Sequence, residues 1–571
     1  MKNNEGESLS DNLKGEVYKV LIRKIPPKHH SEHLEDLVNA LMNAVSRGEL
    51  GISFNGEIPL IEPKATGWPE AHIEALRKSG WLNGNNPPMV ITNQTLRWHR
   101  WHIEISNIIN CLKAKVELKE STLDNISLEN CPAENSRLNR EQRKAILAIS
   151  NEKLILLSGG PGTGKTTTIV GMLERAFFSK KQLRVALAAP TGKAARRLQD
   201  ALQKGINELP IEMQENLFGL KCNTLHRLLE AKKNSFGKNN LDQLPIDLLV
   251  VDEMSMVDIS LLQALLAALP IKARLVLVGD PNQLPPVSGG SIWDELLESE
   301  LRQNFPTCVI HLKEVHRNRG AIAKCSKVLI EKGLKDFTRE LCRTTKSENI
   351  ELHTAKPGYI PSLITKHLKS HCKKLSDLAL NLDFQPDIHE YKSHSNVNAE
   401  LLINTLNQLM ILSPKRKGLW GVNEIHQSIL GPTWNEGPAQ WPVGTPVICG
   451  ENQPELDLAN GDIGVIIKTG MGKRLLFKVI NNEGDSFIKL FHPARLKSVE
   501  PSLSITIHKS QGSEASQVII LLPEYLINND SAYNTKKVPN YQEKLLYTAI
   551  TRATQKVDLF LPDTISLDKF K

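Results

Sequence analysis

Four short apolar runs stand out between residues 138 and 290, and each ends in a polar or glycine-rich loop. They are "KLILLSGGPGTGKTTT", "RVALAAPTGKAARRL", "DLLVVDEMSMVD" and "RLVLVGDPNQLPP". Helical patterns separate them, and this alternation predicts an α/β domain built on a parallel sheet. In such sheets ligands bind outside the carboxyl ends of the strands, where all four polar loops fall. A second series of strand-like runs begins after residue 321: "QLMILSPKR", "ITIHKSQGSEASQVIILL" and "KVDLFLP". Between about 440 and 500, short β-like runs broken by "ANGDIG" and "NNEGDS" predict hairpins and a small β-barrel insert. Residues 1 to about 120 read as helical. "SEHLEDLVNALMNAV" puts Leu34, Leu37, Val38, Leu41, Met42 and Val45 on one stripe, with Ser31 as N-cap and Gly48 as stop. "LRWHRWHIE" predicts a further helix packing its tryptophans, and the polar "LKESTLDNISLENCPAENSR" predicts a linker.

Composition narrows this only a little. A chain of 571 residues predicts three or four domains, and 40% hydrophobic with 23% charged residues is an ordinary soluble composition. A net charge of +8 is compatible with an anionic partner. The eight cysteines are scattered with no CxxC, which argues against a disulfide framework or a zinc ribbon. The polar start "MKNNEGESLSDNL" has no apolar signal core, and no run approaches the ~18 residues of a membrane span, so a cytoplasmic protein with no membrane association is expected. His367 and His371 at i, i+4 beside Cys372 could suggest a metal site, but a solvated helical face is the expectation.

The loops carry the chemistry. "GGPGTGKT" (Gly159, Gly160, Pro161, Gly162, Thr163, Gly164, Lys165, Thr166) matches the G-x-x-x-x-G-K-S/T phosphate loop, placed between a strand and a helix that opens at Thr167. Its backbone N–H groups would curl around phosphates, Lys165 would reach the β and γ phosphates of ATP, and the Thr166 hydroxyl would bind Mg²⁺. Asp252 ends an apolar run, where a carboxylate can hold Mg²⁺, and the adjacent Glu253 can polarise an attacking water. Gln283 in "GDPNQLPPV" can touch that water and the γ-phosphate, on a loop stiffened by prolines. Gln142, just upstream, offers an amide able to read an adenine edge. Arg317 and Arg552 lie outside the first sheet. An arginine delivered from another domain stabilises charge on the transferring phosphoryl, worth roughly 10³–10⁵ in rate.

The ordered set LNREQ, GGPGTGKTT, APTGKAAR, NTLHRLL, VVDEMSM, GDPNQLPPV, HRN, ITIHKSQGSE and YTAITRA resembles the superfamily-one DNA helicases. "NTLHRLL", "GDPNQLPPV" and "HKSQGSE" favour the RecD branch, whose members move 5′ to 3′, and the resemblance covers roughly 138 to 571. It implies two RecA-like P-loop domains, at 135–320 and 321–571. The second would carry an SH3-like insert, and residues 1–120 would contact partner subunits. It implies Lys165, Glu253, Gln283, Arg317 and Arg552 as the catalytic set, with Gly512 and Glu514 lining the nucleotide cleft from the second domain. It also implies DNA contacts through Thr191, Thr224, His226, Thr506 and His508, mostly to phosphates and by stacking. Single-stranded DNA and duplex ends would be the substrates, and RecB-like and RecC-like subunits the partners in a heterotrimer. The chain departs from the branch in having Met254 after Asp252-Glu253, and His316 before Arg317. Residues 230–245, basic and turn-rich, are a candidate duplex-splitting hairpin. No nuclease centre is evident. An RNA-tracking ATPase and a non-catalytic clamp are the rival readings.

Overall fold

The computed structural model describes residues 9–564 except 56–57, 59, 61–62, 119–137, 180–181, 210, 212–213, 215–216, 218, 233–234, 287–289, 316–319, 345–348, 383–389, 393–396, 481–485 and 524–540. The chain first forms helices Leu9–Lys24, Glu32–Ser46 and Glu70–Ser79, with a three-stranded antiparallel sheet of β1 (Ile52–Ser53), β2 (Met89–Thr92) and β3 (Thr95–Trp98) in the order β1-β3-β2. Leu34, Leu37, Val38 and Leu41 are fully buried, as their stripe predicts. Ser31 stands at the helix start, but its side chain makes no cap bond. "LRWHRWHIE" is not one helix. Leu96–Trp98 complete β3, and the helix runs from His99 to Glu117. The missed signal is the pair Asn93 and Gln94, both at positive φ, which close a two-residue hairpin between Thr92 and Thr95.

The helix His99–Glu117 buries Ile105, Ile108 and Leu112 in the same core as Leu154, Leu156, Leu249, Val251, Leu275 and Leu277. These last six belong to the first large sheet. Its strands are β4 (Leu154–Gly159), β5 (Val185–Ala189), β6 (Cys222–Thr224), β7 (Leu248–Val251), β8 (Arg274–Gly279) and β9 (Val309–Leu312). All pairings are parallel, in the order β6-β5-β7-β8-β4-β9. Strand alternation sends Leu154 and Leu156 to one core and Ile155 and Leu157 to the other, so both faces are covered. That is why these strands read as continuous apolar runs.

A second parallel sheet has the order β10-β20-β19-β12-β18, with β10 (Ile350–Ala355), β12 (Leu409–Ser413), β18 (Ile505–Thr506), β19 (Ala515–Leu521) and β20 (Ala553–Pro562). The insert is a six-stranded antiparallel sheet, β11-β16-β15-β14-β13-β17. Its strands are β11 (Glu390–Lys392), β13 (Pro446–Cys449), β14 (Ile463–Thr469), β15 (Gly472–Ile480), β16 (Ser486–Phe491) and β17 (Val499–Pro501). It recruits β11 from upstream of the expected 440–500 segment. Its tight turn falls at Gly470–Met471, between paired Thr469 and Gly472, while "ANGDIG" ends a longer excursion and most of "NNEGDS" lies outside the described residues. His371 is buried rather than solvated, on the face of helix Ser362–Leu380 that carries Leu368 and Leu375. In the 230–245 segment an antiparallel bridge joins Ala231 to Phe236.

Candidate nucleotide site and strand-end surface

The loop after β4 turns through Gly162 and Gly164, both at positive φ, and opens the helix Lys165–Ser179. A side chain at either position would be strained, which explains the glycines. Lys165 Nζ donates to the carbonyls of Gly159 (2.7 Å) and Gly160 (3.3 Å), folded back on its own loop. Asp252 follows β7 and accepts from the Glu253 N–H at 2.8 Å, with Glu253 in left-handed backbone. Burial, then the Glu253 charge, pushes the Asp252 carboxyl up to about 6, with Lys165 holding it down. A third carboxylate, Asp280, follows β8 and is fully buried; burial raises it and Lys165 again opposes. Gln283 donates to Asp280 Oδ2 at 3.3 Å.

The second sheet closes this site. The helix Tyr541–Ile550 brings the Tyr547 hydroxyl to Asp280 Oδ2 at 3.1 Å, beside Gly160, where an added Cβ would lie 2.8 Å from that hydroxyl. Arg552 is 2% exposed. Among the described residues its guanidinium donates to Thr548 O at 3.0 Å, Ser513 O at 3.3 Å and Thr551 Oγ1 at 3.5 Å. Among the described residues no carboxylate lies within ion-pair distance, although Glu253 and Asp280 face it. Thr548 Oγ1 accepts from the Leu284 N–H at 2.9 Å, and Gln511 Nε2 donates to Leu284 O at 2.7 Å. The "PNQL" loop is therefore pinned to the second sheet on both sides.

The helix Gly192–Asn207 is a second junction. Arg197 pairs with Glu514 across the cleft, and an added Cβ on Gly512, at positive φ, would lie 3.7 Å from Ala194. Arg196 reaches the insert, pairing with buried Asp462 at 2.7 Å and donating to the carbonyls of Asp457 (2.7 Å) and Lys478 (3.2 Å). Around it lie the threonines singled out for DNA. Thr191 caps Gly192–Asn207 through Ala194 N–H, and Thr224 caps Leu225–Leu228 through Arg227 N–H. Thr224 pairs with Ala189, so both threonines sit at the carboxyl ends of neighbouring strands. Thr506 is the counterpart on the second sheet's edge strand, paired with Ser413. His226 is exposed, whereas His508 is held by Tyr541 Oη at 2.9 Å and burial pushes its pKa down.

The structure thus gathers Lys165, Thr166, Asp252, Glu253, Gln283 and Arg552 at one cleft, while Arg317 lies outside the described residues. Two expected residues are otherwise engaged. Gln142 accepts from Asn139 N–H in a capping box and donates to Thr163 O at 3.3 Å, so its amide braces the phosphate loop instead of standing open to a base. Glu514 is committed to Arg197. Asp280, Tyr547 and the Arg196–Asp462 pair were missed: no spacing in the sequence connects residues 267 or 266 positions apart. Thr166 and Asp252 supply hard oxygen donors of the kind Mg²⁺ takes.

Profile comparison matches residues 142–289 to the AAA domain and 501–559 to the UvrD-like helicase C-terminal domain. The chain is 32% identical over 550 residues to the RecBCD enzyme subunit RecD of Mycolicibacterium smegmatis, covering 92% of this chain and 88% of that protein. It is 30% identical to the ATP-dependent RecD2 DNA helicase of Deinococcus radiodurans, over 73% of this chain and 48% of that one. Among solved structures, the Bacteroides Pif1 helicase in complex with ADP-AlF3 and ssDNA aligns over 75% of this chain and 93% of its own, at 16% identity and a TM-score of 0.36.

Proposed function

Because this chain belongs to the family of the RecBCD enzyme subunit RecD, we propose that it is the ATP-dependent 5′ to 3′ DNA helicase subunit of a RecBCD-type complex acting on broken DNA ends. The observation that carries the reading is the buried Arg552. It comes from the second parallel sheet, has no carboxylate partner among the described residues, and shares the buried Asp280 with Lys165 of the phosphate loop. Two cations from two sheets at one cleft are what a γ-phosphate needs, and the bound phosphate in turn draws the sheets together.

In this reading ATP enters between the two sheets, and Lys165 leaves the carbonyls of Gly159 and Gly160 for its phosphates. Thr166 and Asp252 would hold Mg²⁺, which would supply positive charge against the phosphates. Glu253 and Gln283 place the water, and Arg552 steadies the charge that develops. Closing and opening shift the strand-end surfaces of Thr191 and Thr224 against that of Thr506, moving the chain along single-stranded DNA. RecB-like and RecC-like subunits complete the machine, and residues 1–120 offer them a surface. No helix among the described residues is long and apolar enough to cross a membrane. The test is unwinding of forked duplexes by the chain with and without co-expressed partners. Unwinding from a 5′ tail supports the reading; a 3′ preference, or stimulation by RNA but not DNA, refutes it.

A further inference from the structure

Gln283 is 4% exposed, and the two ends of its amide have different fates. Nε2 donates to Asp280 Oδ2, while Oε1 is buried with no hydrogen-bond partner among the described residues. An amide is nearly symmetric in shape, so nothing in packing alone decides which end faces the cleft. The partner decides it. An ionised carboxylate only accepts, so Asp280 draws the NH₂ to itself and leaves the carbonyl oxygen without a partner among the described residues. That oxygen can accept a hydrogen bond from water, which the NH₂ could not.

Asp280 is itself held from both units. Its Oδ1 accepts from the Asn282 N–H at 3.0 Å within its own loop, and its Oδ2 accepts from Tyr547 at 3.1 Å. Tyr547 lies on the helix that also carries Thr548, which pins the next residue of the loop, Leu284. We propose that Tyr547 and Asp280 are positioning residues: docking of the second sheet sets the Asp280 carboxylate, which turns the Gln283 carbonyl toward the attacking water. This rests on the ATPase reading above and adds to it a route by which closure between the sheets switches on the water-placing residue.

Tyr547→Phe removes one oxygen and keeps the ring. In steady-state ATP hydrolysis by the full chain with single-stranded DNA, kcat should fall roughly tenfold, the scale of one hydrogen bond to a charged group, with KM for ATP little changed. In a Gln283→Ala background the same substitution should do nothing further, because its effect passes through the glutamine. Asp280→Asn, which presents a donor and an acceptor to the amide, should behave like Tyr547→Phe. The proposal fails if Tyr547→Phe matches the unsubstituted chain, if it acts on KM instead of kcat, or if its fold-loss is the same with and without Gln283. A merely structural tyrosine would give that last result. Absence of DNA-stimulated hydrolysis from the unsubstituted chain, both alone and with co-expressed partners, would overturn the parent reading and this one with it; an active chain indifferent to Tyr547→Phe overturns this one alone.

Discussion

Replacing Arg196 with methionine should loosen the insert from the first motor sheet. The Arg196–Asp462 contact is short, 2.7 Å, and Asp462 is only 3% exposed, whereas Arg196 keeps 19% of its side-chain surface in solvent. At an effective dielectric of about 20 the attraction at that distance is roughly 6 kcal/mol, most of it offset by desolvation. The net cost of the substitution comes from the charge left behind. Removing one partner of a buried pair costs about 3–5 kcal/mol. Partial exposure of Arg196, and Lys193 facing Asp462, place this case at the low end, near ~3 kcal/mol. Asp462→Asn leaves the charge of Arg196, which keeps part of its surface in solvent, and should cost less. Added to Arg196→Met it should restore stability, because the orphaned carboxylate is gone. With motor units of this size, ~3 kcal/mol corresponds to roughly 6–12 °C in the first thermal transition. Differential scanning of the four proteins reads this directly. A shift below about 2 °C for Arg196→Met, or a double variant that loses the sum of the single losses, would refute the reasoning.

Arg552→Lys should keep ATP binding and lower DNA-stimulated hydrolysis by roughly 10³, because a lysine cannot reproduce the guanidinium fork; nucleotide binding and turnover measured side by side check this. Burial pushes His371 and His426 down to about 4 from 6.5. The unfolded chain therefore takes up protons below pH 6.5 that the folded chain refuses, and stability is lost as pH falls from 6.5 toward 4, by up to ~1.4 kcal/mol per unit per histidine. His371→Leu should flatten the fall of the melting temperature between pH 7 and 5; an unchanged slope counts against it. His226→Ala, at an exposed site, should weaken single-stranded DNA binding in a fluorescence titration without changing hydrolysis at saturating DNA.

Much of the fold was legible because both large sheets are covered on two faces. A strand such as Leu154–Leu157 must then be apolar throughout, and Gly162 and Gly164 of the loop beyond it are required by their positive φ. What escaped was set by tertiary contact. "LRWHRWHIE" carries apolar residues compatible with a helix, and only the Asn93-Gln94 turn made its first half a strand. His371 looked solvated at i, i+4 from His367, but the face it shares with Leu368 and Leu375 is the buried one. In the site, the phosphate-loop residues and acidic pair stood out by local spacing. Asp280 and Tyr547 did not, because their roles exist only once two sheets meet. Gln142 shows the converse: it belongs to the resembling motif set through LNREQ, but the local capping box takes its amide.

The central claim is that the two parallel sheets form one nucleotide site that drives motion on DNA. The most direct test is ATP hydrolysis by the purified chain, with and without single-stranded DNA, beside Lys165→Gln. Strong stimulation by DNA, abolished in the variant while its fold is intact, is the predicted result. Hydrolysis that ignores DNA, or survives loss of Lys165, would contradict it.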